Sequence, residues 1–266
     1  MRISCQTIGR RHEDHHWVRD LNGLVEADAA EVENGEYGSF LFYKAQRGVN
    51  DSQTKGLRED FMEAMKTLAE TQLHIGRGKH ASETSKSVHA SGWHMPYNKG
   101  PPVVERFTSK QTADMDTVRQ AEEKQRQYLC KMEEITSMAI AKGHRQDFQN
   151  FLDHHNIQRE GIRAPALIKS LGYHPIIHWD RDCWLTVLGA MDGSPGISTR
   201  DADHPVYCFV FPNLGVYTTL KHGDVVLFNP LYYHGATDQF GDVAEAWIYS
   251  AYFSMKTGAF QWIPRQ

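Results

Sequence analysis

The residues best suited to chemistry in this sequence are two histidines and an aspartate. His178 and Asp180 stand two positions apart. On an extended chain such side chains project to the same side, about 7 Å apart at the backbone, so both can reach one ion. His234 follows 54 residues after Asp180, behind an apolar run and a Pro turn. We therefore predict that His178, Asp180 and His234 converge on a divalent metal.

The ligand types in this set indicate which metal to expect. Two histidines and one carboxylate on one face of a metal form the triad of non-haem iron(II) oxygenases, which leaves three positions open. A single His-x-Asp tripeptide is weak evidence, because a histidine in a β segment is more often structural than a ligand. His222 is a rival third ligand, but it precedes the apolar run Val225–Phe228, so we interpret it as a turn residue. The whole pattern predicts an iron(II) oxygenase with His178, Asp180 and His234 as catalytic residues.

Composition limits the classes to which the protein can belong. The chain has 266 residues, 40% hydrophobic and 23% charged, which is ordinary for a globular protein and fits one domain over 1–266. Its net charge of -4 gives no global positive field, so any nucleic-acid contact must be local. The sequence has no long apolar run, so we expect no membrane partner and a soluble, intracellular protein, cytoplasmic or nuclear. The four cysteines contain no CxxC pair, which predicts free thiols.

The first 165 residues are predicted to be mainly helix and loop. A strand is expected at 39–45 and an amphipathic helix at 57–73, followed by a long loop rich in Gly, Ser, Lys and His. A second helix is expected from Thr112, a plausible N-cap, to 141, with a short helix at 146–154. None of these elements carries a catalytic pattern.

From residue 166 onward, β-branched and aromatic runs alternate with turn residues. Seven short strands are predicted, at 173–178, 183–191, 206–211, 216–221, 224–228, 231–234 and 245–253. Short strands following helices indicate an α+β protein with an antiparallel sandwich or jelly-roll core over 166–266.

Two segments of this core resemble a known superfamily. IIHWDRD and GDVVLFNPLYYHGA, within residues 173–254, are similar to the metal motifs of the double-stranded β-helix dioxygenases dependent on iron(II) and 2-oxoglutarate. Within that superfamily the chain most resembles the Tet and base-J (JBP) oxygenases. The resemblance implies Fe(II) as the metal cofactor and 2-oxoglutarate and O2 as cosubstrates. It also implies a role in nucleic-acid modification, such as DNA modification, through oxidation of a methylated pyrimidine in DNA or RNA.

The cosubstrate clamp departs from the superfamily pattern. Members often carry Arg or Lys about ten residues after the second histidine, but Ala244 stands here, and the first later cation is Lys256. We predict that Lys256 binds the cosubstrate with help from Ser250 or Tyr252. A solvated surface lysine is the alternative interpretation of Lys256. Other candidate cations for this role are Lys169 and Arg200.

A missing clamp also fits another cosubstrate, because one algal branch of the Tet-like group uses ascorbate. Asp182 is a further cosubstrate-binding candidate, since it lies two residues beyond Asp180 and can bond a ligand histidine or a cosubstrate hydroxyl. It can equally cap a turn.

A nucleic-acid substrate would need a local binding surface, and the predicted loop over 79–110 is the candidate. Its basic residues can hold phosphates and its aromatic residues can stack on bases. The alternative interpretation is a weakly basic linker. Two other functions stay open: the same iron chemistry on a small metabolite or protein side chain, and a non-catalytic cupin-like binding domain.

Overall fold

The computed structural model describes thirteen parts of the chain, and all structural statements below concern them. They are residues 2–4, 21–35, 39–45, 51–71, 87–94, 103–105, 114–139, 166–172, 177–180, 186–194, 204–241, 243 and 245–252. Predictions for the short helix at 146–154, and for Asp182, Arg200 and Lys256, lie outside them.

Six strands and two helices come from the described parts of the first half. They are β1 (Arg2–Ser4), β2 (Val25–Glu26), β3 (Ala29–Glu33), β4 (Phe40–Ala45), α1 (Asp51–Thr71), β5 (Ser87–His94), β6 (Val103–Glu105) and α2 (Met115–Ala139). The second half adds seven strands and one 3-10 turn. These are β7 (Ala166–Leu171), β8 (Thr186–Asp192), β9 (Pro205–Phe211), the turn Pro212–Leu214, β10 (Val216–Lys221), β11 (Val225–Phe228), β12 (Gly235–Ala236) and β13 (Ala246–Tyr252).

The described strands form two sheets. The large sheet has the order β1-β3-β4-β11-β8-β13-β7-β5-β6, and the small sheet has the order β12-β9-β10-β2. His178 adds a single antiparallel bridge with His234, at the start of β12. From β7 onward the chain alternates between the sheets: β7, β8, β11 and β13 are in the large sheet, β9, β10 and β12 are in the small one, and His178 bridges to His234, the residue before β12. This alternation is that of a jelly roll, so the predicted α+β fold with a double-stranded β-helix core is confirmed.

Side-chain alternation decides which face of each sheet is internal. β10 alternates buried and half-buried residues along Val216–Lys221, as expected for a strand with one face in a core. The buried core between the sheets joins Phe42, Phe228 and Ile248 of the large sheet to Phe209 and Phe211 of the small one. Tyr249, next to Ile248, therefore lies on the outer face of the large sheet.

The two helices cover that outer face. Phe61 of α1 stacks on Tyr128 of α2 at 4.5 Å between ring centroids and meets the Tyr249 ring edge-on at 4.7 Å. The Tyr249 hydroxyl donates a hydrogen bond to the Tyr128 hydroxyl at 3.3 Å. In the described parts of the chain, neither helix is long and apolar enough to span a membrane.

Four details differ from the sequence predictions. The first half contributes more strands than the one expected there, and 87–94 forms β5 instead of a loop because it pairs with β7 along six positions. At α2, which begins at Met115, Asp114 caps the helix, since its carboxylate accepts hydrogen bonds from the Asp116 N–H and the Thr117 hydroxyl; the predicted N-cap Thr112 lies outside the described residues. Residues 231–233 form a turn, and strand pairing begins only at His234.

Candidate metal centre

Backbone hydrogen bonds hold the two ligand segments side by side. The His178 N–H donates to the His234 carbonyl at 2.9 Å, and the His234 N–H donates to the His178 carbonyl at 2.8 Å. The Asp180 N–H donates to the Pro230 carbonyl at 2.9 Å. Their relative position is therefore fixed by main-chain geometry, before any metal binds.

The turn before His234 explains how this position is reached. β11 ends at Phe228, and the Asn229 side-chain oxygen accepts a hydrogen bond from the Leu231 N–H at 3.1 Å. Such an Asx turn redirects the chain without a regular strand. The chain crosses from the large sheet to the small one and delivers His234 beside His178.

The three predicted ligands converge. The Asp180 Oδ2 lies 3.6 Å from the His178 Nε2 and 3.5 Å from the His234 Nε2. One ligand atom from each of the three residues lies within 4.8 Å of the other two, so the three side chains form a group that could hold one metal ion. Two ligand atoms at right angles around a first-row metal lie about 3.0 Å apart, and the two distances to Asp180 exceed that value by about 0.5 Å, so Asp180 can share an ion with either histidine.

His234 is oriented by a backbone carbonyl. Its Nδ1 lies 2.8 Å from the Tyr232 carbonyl oxygen, which can only accept, so Nδ1 carries the proton and donates. The Nε2 lone pair is then free to face Asp180. A hydrogen bond of this kind fixes the tautomer and ring orientation that a ligand histidine needs.

Aromatic rings enclose one side of the centre. Phe228, Phe209 and Phe211 lie 4.8, 5.6 and 6.4 Å from the His234 ring, measured between centroids. The His234 side chain is 3% exposed, whereas those of His178 and Asp180 are 34% and 42% exposed. The site is therefore closed towards the core and open towards solvent, where further ligands would enter.

The electrostatics of the site favour the metal-binding charge states. Burial raises the pKa of Asp180, but in acid, where His178 and His234 are protonated, their hydrogen bonds and positive charges outweigh it and hold that pKa well below its ordinary value. Burial, aided by the charge of His178, lowers the pKa of His234. At neutral pH the centre therefore offers an anionic carboxylate and a neutral buried imidazole.

One polar residue at the same end of the barrel was not anticipated from the sequence. Thr186, the first residue of β8, is 2% exposed and pairs with Phe228, whose ring contacts His234. It lies on the inner face of the large sheet, in line with Leu188 and Ala190 of the core. Its signal was only a hydroxyl within an apolar run, which is too common to single out.

The predicted cosubstrate residues are only partly placed. Ser250 is half-buried in β13, opposite Leu188 and Ile168, and therefore lies on the inner face. Tyr252 is the last residue of β13, and Lys169 in β7 pairs with Tyr249. Asp182, Arg200 and Lys256 lie outside the described residues, so their roles stay predictions.

His222 is separate from the triad. It lies in the turn between β10 and β11, is 8% exposed, and its Nδ1 accepts a hydrogen bond from the Asp192 N–H at 2.9 Å. The interpretation of His222 as a turn residue is thus confirmed. Among the described cysteine side chains, Cys208 is a free, buried thiol as expected.

The sequence matches no protein-family model, and no curated protein matches it. Solved structures of similar fold include NgTET1 in complex with 5mC DNA, 14% identical over 87% of this chain and 78% of that one, with a TM-score of 0.49. JOX2 in complex with 2OG, Fe and JA is 11% identical over 80% of this chain and 67% of that one, with a TM-score of 0.46.

A third similar structure is a Pseudomonas putida prolyl-4-hydroxylase, 14% identical over 80% of this chain and 92% of that one, with a TM-score of 0.41. Because the identities do not exceed 14% and the TM-scores are below 0.5, the chemistry of the site is inferred from this chain's own residues.

Proposed function

We propose that this protein is a non-haem iron(II)-dependent dioxygenase. The observation that carries the proposal is the convergence of His178, Asp180 and His234, with one ligand atom from each within 4.8 Å of the others. Two imidazoles and a carboxylate are the donors of the facial triad that binds iron(II) and leaves three adjacent positions open. A structural zinc site would instead close its coordination with a fourth protein ligand.

Each residue of the triad and its surroundings would have a separate role at such a centre. His234, held by the Tyr232 carbonyl, and His178, held by the paired backbone, would position the metal, and Asp180 would supply the negative charge. The phenylalanine rings around His234 exclude water on the core side. Iron(II) bound there supplies activation of O2, and the protein supplies orientation and a dry wall.

The cosubstrate in this proposal is 2-oxoglutarate or ascorbate. Ser250 and Thr186 bring hydroxyl groups to the inner face of neighbouring strands at the metal end of the barrel. Tyr252, Lys256 and Asp182 complete the proposed cosubstrate-binding set. Without a cation at the usual position near Ala244, a less charged cosubstrate such as ascorbate, which has no remote carboxylate to be clamped, is a full alternative to 2-oxoglutarate.

The substrate in this proposal is a methylated pyrimidine base in DNA or RNA. Support comes from the open side of the triad, where His178 and Asp180 are one-third or more exposed. Support also comes from the basic and aromatic stretch at 79–110. A base turned out of its stack could enter an open site of this kind.

The test is product analysis after aerobic incubation. Purified protein, Fe(II) and either 2-oxoglutarate or ascorbate are mixed with oligonucleotides containing 5-methylcytosine or thymine, and the digested nucleosides are analysed by mass spectrometry. The proposal predicts an oxidised methyl group with wild-type protein and none with Asp180→Ala. Iron-dependent consumption of O2 without any change in the bases would contradict the substrate assignment.

A second candidate is iron-dependent hydroxylation of a small metabolite or protein side chain. The net charge of -4 favours it, because an acidic protein has no general attraction for phosphate backbones. It predicts cosubstrate turnover without measurable nucleic-acid affinity even at low salt.

A further inference from the structure

Trp179 is a large apolar residue that faces solvent between two of the proposed metal ligands. It is 40% exposed, and in the described parts of the chain it shares this property of an exposed large apolar side chain with Val25. Single exposed apolar residues are common on protein surfaces. The position of Trp179 beside the candidate metal centre is therefore what singles it out.

Alternation along the extended segment places the Trp179 side chain on the outer side of the site. His178 and Asp180 turn their side chains towards each other, with 3.6 Å between the His178 Nε2 and the Asp180 Oδ2. Successive side chains of an extended chain point to opposite sides. The exposures agree with this direction, because Trp179 is exposed whereas the ligands on either side of it are half-buried.

Tyr233 has the matching position on the second ligand segment. His178 and His234 exchange both of their backbone hydrogen bonds, as two residues of an antiparallel pair do. Tyr232 and His234 are buried, whereas Tyr233 between them is half-buried. Trp179 and Tyr233 therefore lie on the same outer side, each next to a metal ligand. We call these two residues the aromatic rim.

The aromatic rim is close enough to the metal centre to touch a molecule that reacts there. Trp179 and two of the three ligands belong to one extended segment, and a strand takes up about 4.8 Å of width. A molecule on the open side of the triad crosses about one strand width before it meets the indole. A flat ring with one edge towards the metal therefore extends over the rim.

The charges around the rim favour an uncharged ring. Apart from the triad, residues 177–180 and 229–234 include no Asp, Glu, Lys, Arg or His. A charged substrate group would find no ion-pair partner in these two segments. An uncharged planar ring can instead stack on the indole, and such stacking accepts every base because each base has a π-face.

We propose that the Trp179 indole stacks on the ring of the substrate and selects planar, uncharged rings. This inference rests on the proposed function and deepens it, because a pyrimidine with its methyl group towards the metal presents a face to the rim. Trp179 is then a specificity-determining residue that does not bind the metal. A saturated, puckered ring with the same polar groups loses the stacking contact.

The test is the Kd of thymidine and of 5,6-dihydrothymidine for the iron-loaded protein, measured without O2 in the presence of 2-oxoglutarate or ascorbate. The two nucleosides carry the same methyl, carbonyl and N–H groups, but the dihydro ring is puckered. We expect the wild type to bind thymidine about tenfold more tightly, the size of one base–aromatic stack. Trp179→Ala should remove this preference, and Trp179→Phe should restore part of it. Val25→Ala, the control at the other exposed apolar residue, should keep it.

The outcomes separate this inference from the function on which it rests. Equal affinities in the wild type, no binding of thymidine, or a preference unchanged in Trp179→Ala would each overturn the role of Trp179. An oxidised methyl group in the product analysis would still support the proposed function in those cases. Absence of oxidation on every methylated base contradicts the proposed function, and this inference with it.

Iron binding by the same variants separates stacking from damage to the centre. The indole is not a ligand, so Trp179→Ala and Trp179→Phe should each bind as much iron as the wild type. Loss of iron in both variants would show a structural role and overturn the stacking role. The comparison of the two nucleosides in the wild type needs no variant, so a variant that fails to fold does not prevent the test.

Discussion

At the scale of single residues, the environment of the candidate site favours a neutral His234 and an anionic Asp180. His234 is 3% exposed and hydrogen-bonded through Nδ1, so its burial favours the neutral ligand form. Asp180 is 42% exposed and flanked by two imidazoles, which favour its anion. The residue types and their spacing predicted that these two side chains and His178 would converge, and one ligand atom from each lies within 4.8 Å of the other two; their binding of a metal stays a prediction.

The lowered pKa of His234 makes the metal-free protein sensitive to acid. Below about pH 6.5, the ordinary pKa of histidine, the unfolded chain takes up a proton at this position that the folded chain resists. Stability is therefore full above that pH and falls as the pH decreases. Asp180 adds a second loss only below its ordinary pKa of 3.8.

Urea unfolding in EDTA at pH 7.5 and 5.5 measures this effect. We expect a lower free energy of unfolding at pH 5.5, with a smaller difference between the two pH values in His234→Gln. An equal pH dependence in both proteins would show that His234 is not the group responsible.

Gly189 is predicted to be intolerant of a side chain. A Cβ atom at this position would overlap the ring of Tyr249, which is buried and also meets Phe61 and Tyr128. Overpacking of this kind costs about 1–3 kcal/mol, so Gly189→Ala should lower the free energy of unfolding by that amount. Gly56→Ala in α1 is the matched control, because nothing lies within 4 Å of its added Cβ, and it should stabilise by about 0.5–1 kcal/mol. Comparable values for the two variants would contradict the packing described here.

At the scale of elements, the sequence predicted the helices and strands whose local pattern of apolar and polar residues determines their structure. α1, α2 and β10 follow clear periodicity, and β10 was predicted with the same bounds. β5 was missed because Ser, Gly and His favour no regular structure, and its strand depends on pairing with β7. The turn at 231–233 was read as a strand from its apolar residues, whereas the Asn229 hydrogen bond to the Leu231 N–H decides the local conformation.

Lys44 joins the two sheets at one edge of the barrel. This residue of β4 is 7% exposed, and its Nζ donates to the Thr219 carbonyl of β10 at 3.2 Å and pairs with Asp28 at 2.5 Å. Lys44→Met keeps the length of the side chain but removes both interactions, so we expect a loss of about 1.5–3 kcal/mol in urea unfolding. Asp28→Asn should cost less than about 1 kcal/mol, since Asp28 is 56% exposed. An unchanged free energy of unfolding in Lys44→Met would show that the link between the sheets does not contribute to stability.

Phe61 anchors the helical layer on the large sheet. It is fully buried, and its ring stacks on Tyr128 and meets Tyr249 edge-on. Phe61→Ala should lower the free energy of unfolding by about 3–5 kcal/mol through the cavity that it leaves. Glu59→Ala, on the exposed side of the same helix, should change it by no more than about 0.5 kcal/mol. A small effect of Phe61→Ala would mean that the helices are held by other contacts.

At the scale of the whole molecule, the fold serves to bring distant residues together at one end of a barrel. The sequence predicted the jelly-roll class from the rhythm of short strands and predicted β4 at 39–45, but it did not predict that β4 and β5 would pair with β11 and β7 in one wide sheet. Those strands depend on pairings between distant residues, which no local pattern encodes.

Anaerobic titration with Fe(II), followed separately by 2-oxoglutarate and ascorbate, tests the metal centre most directly. We predict one equivalent of iron per chain and a charge-transfer absorption band when one cosubstrate chelates the metal. Asp180→Ala should lose iron binding and the band, whereas His222→Gln should keep both, because His222 bonds to the Asp192 N–H away from the triad. Iron binding that survives Asp180→Ala and His234→Ala unchanged, or no iron binding by the wild type, would contradict the account.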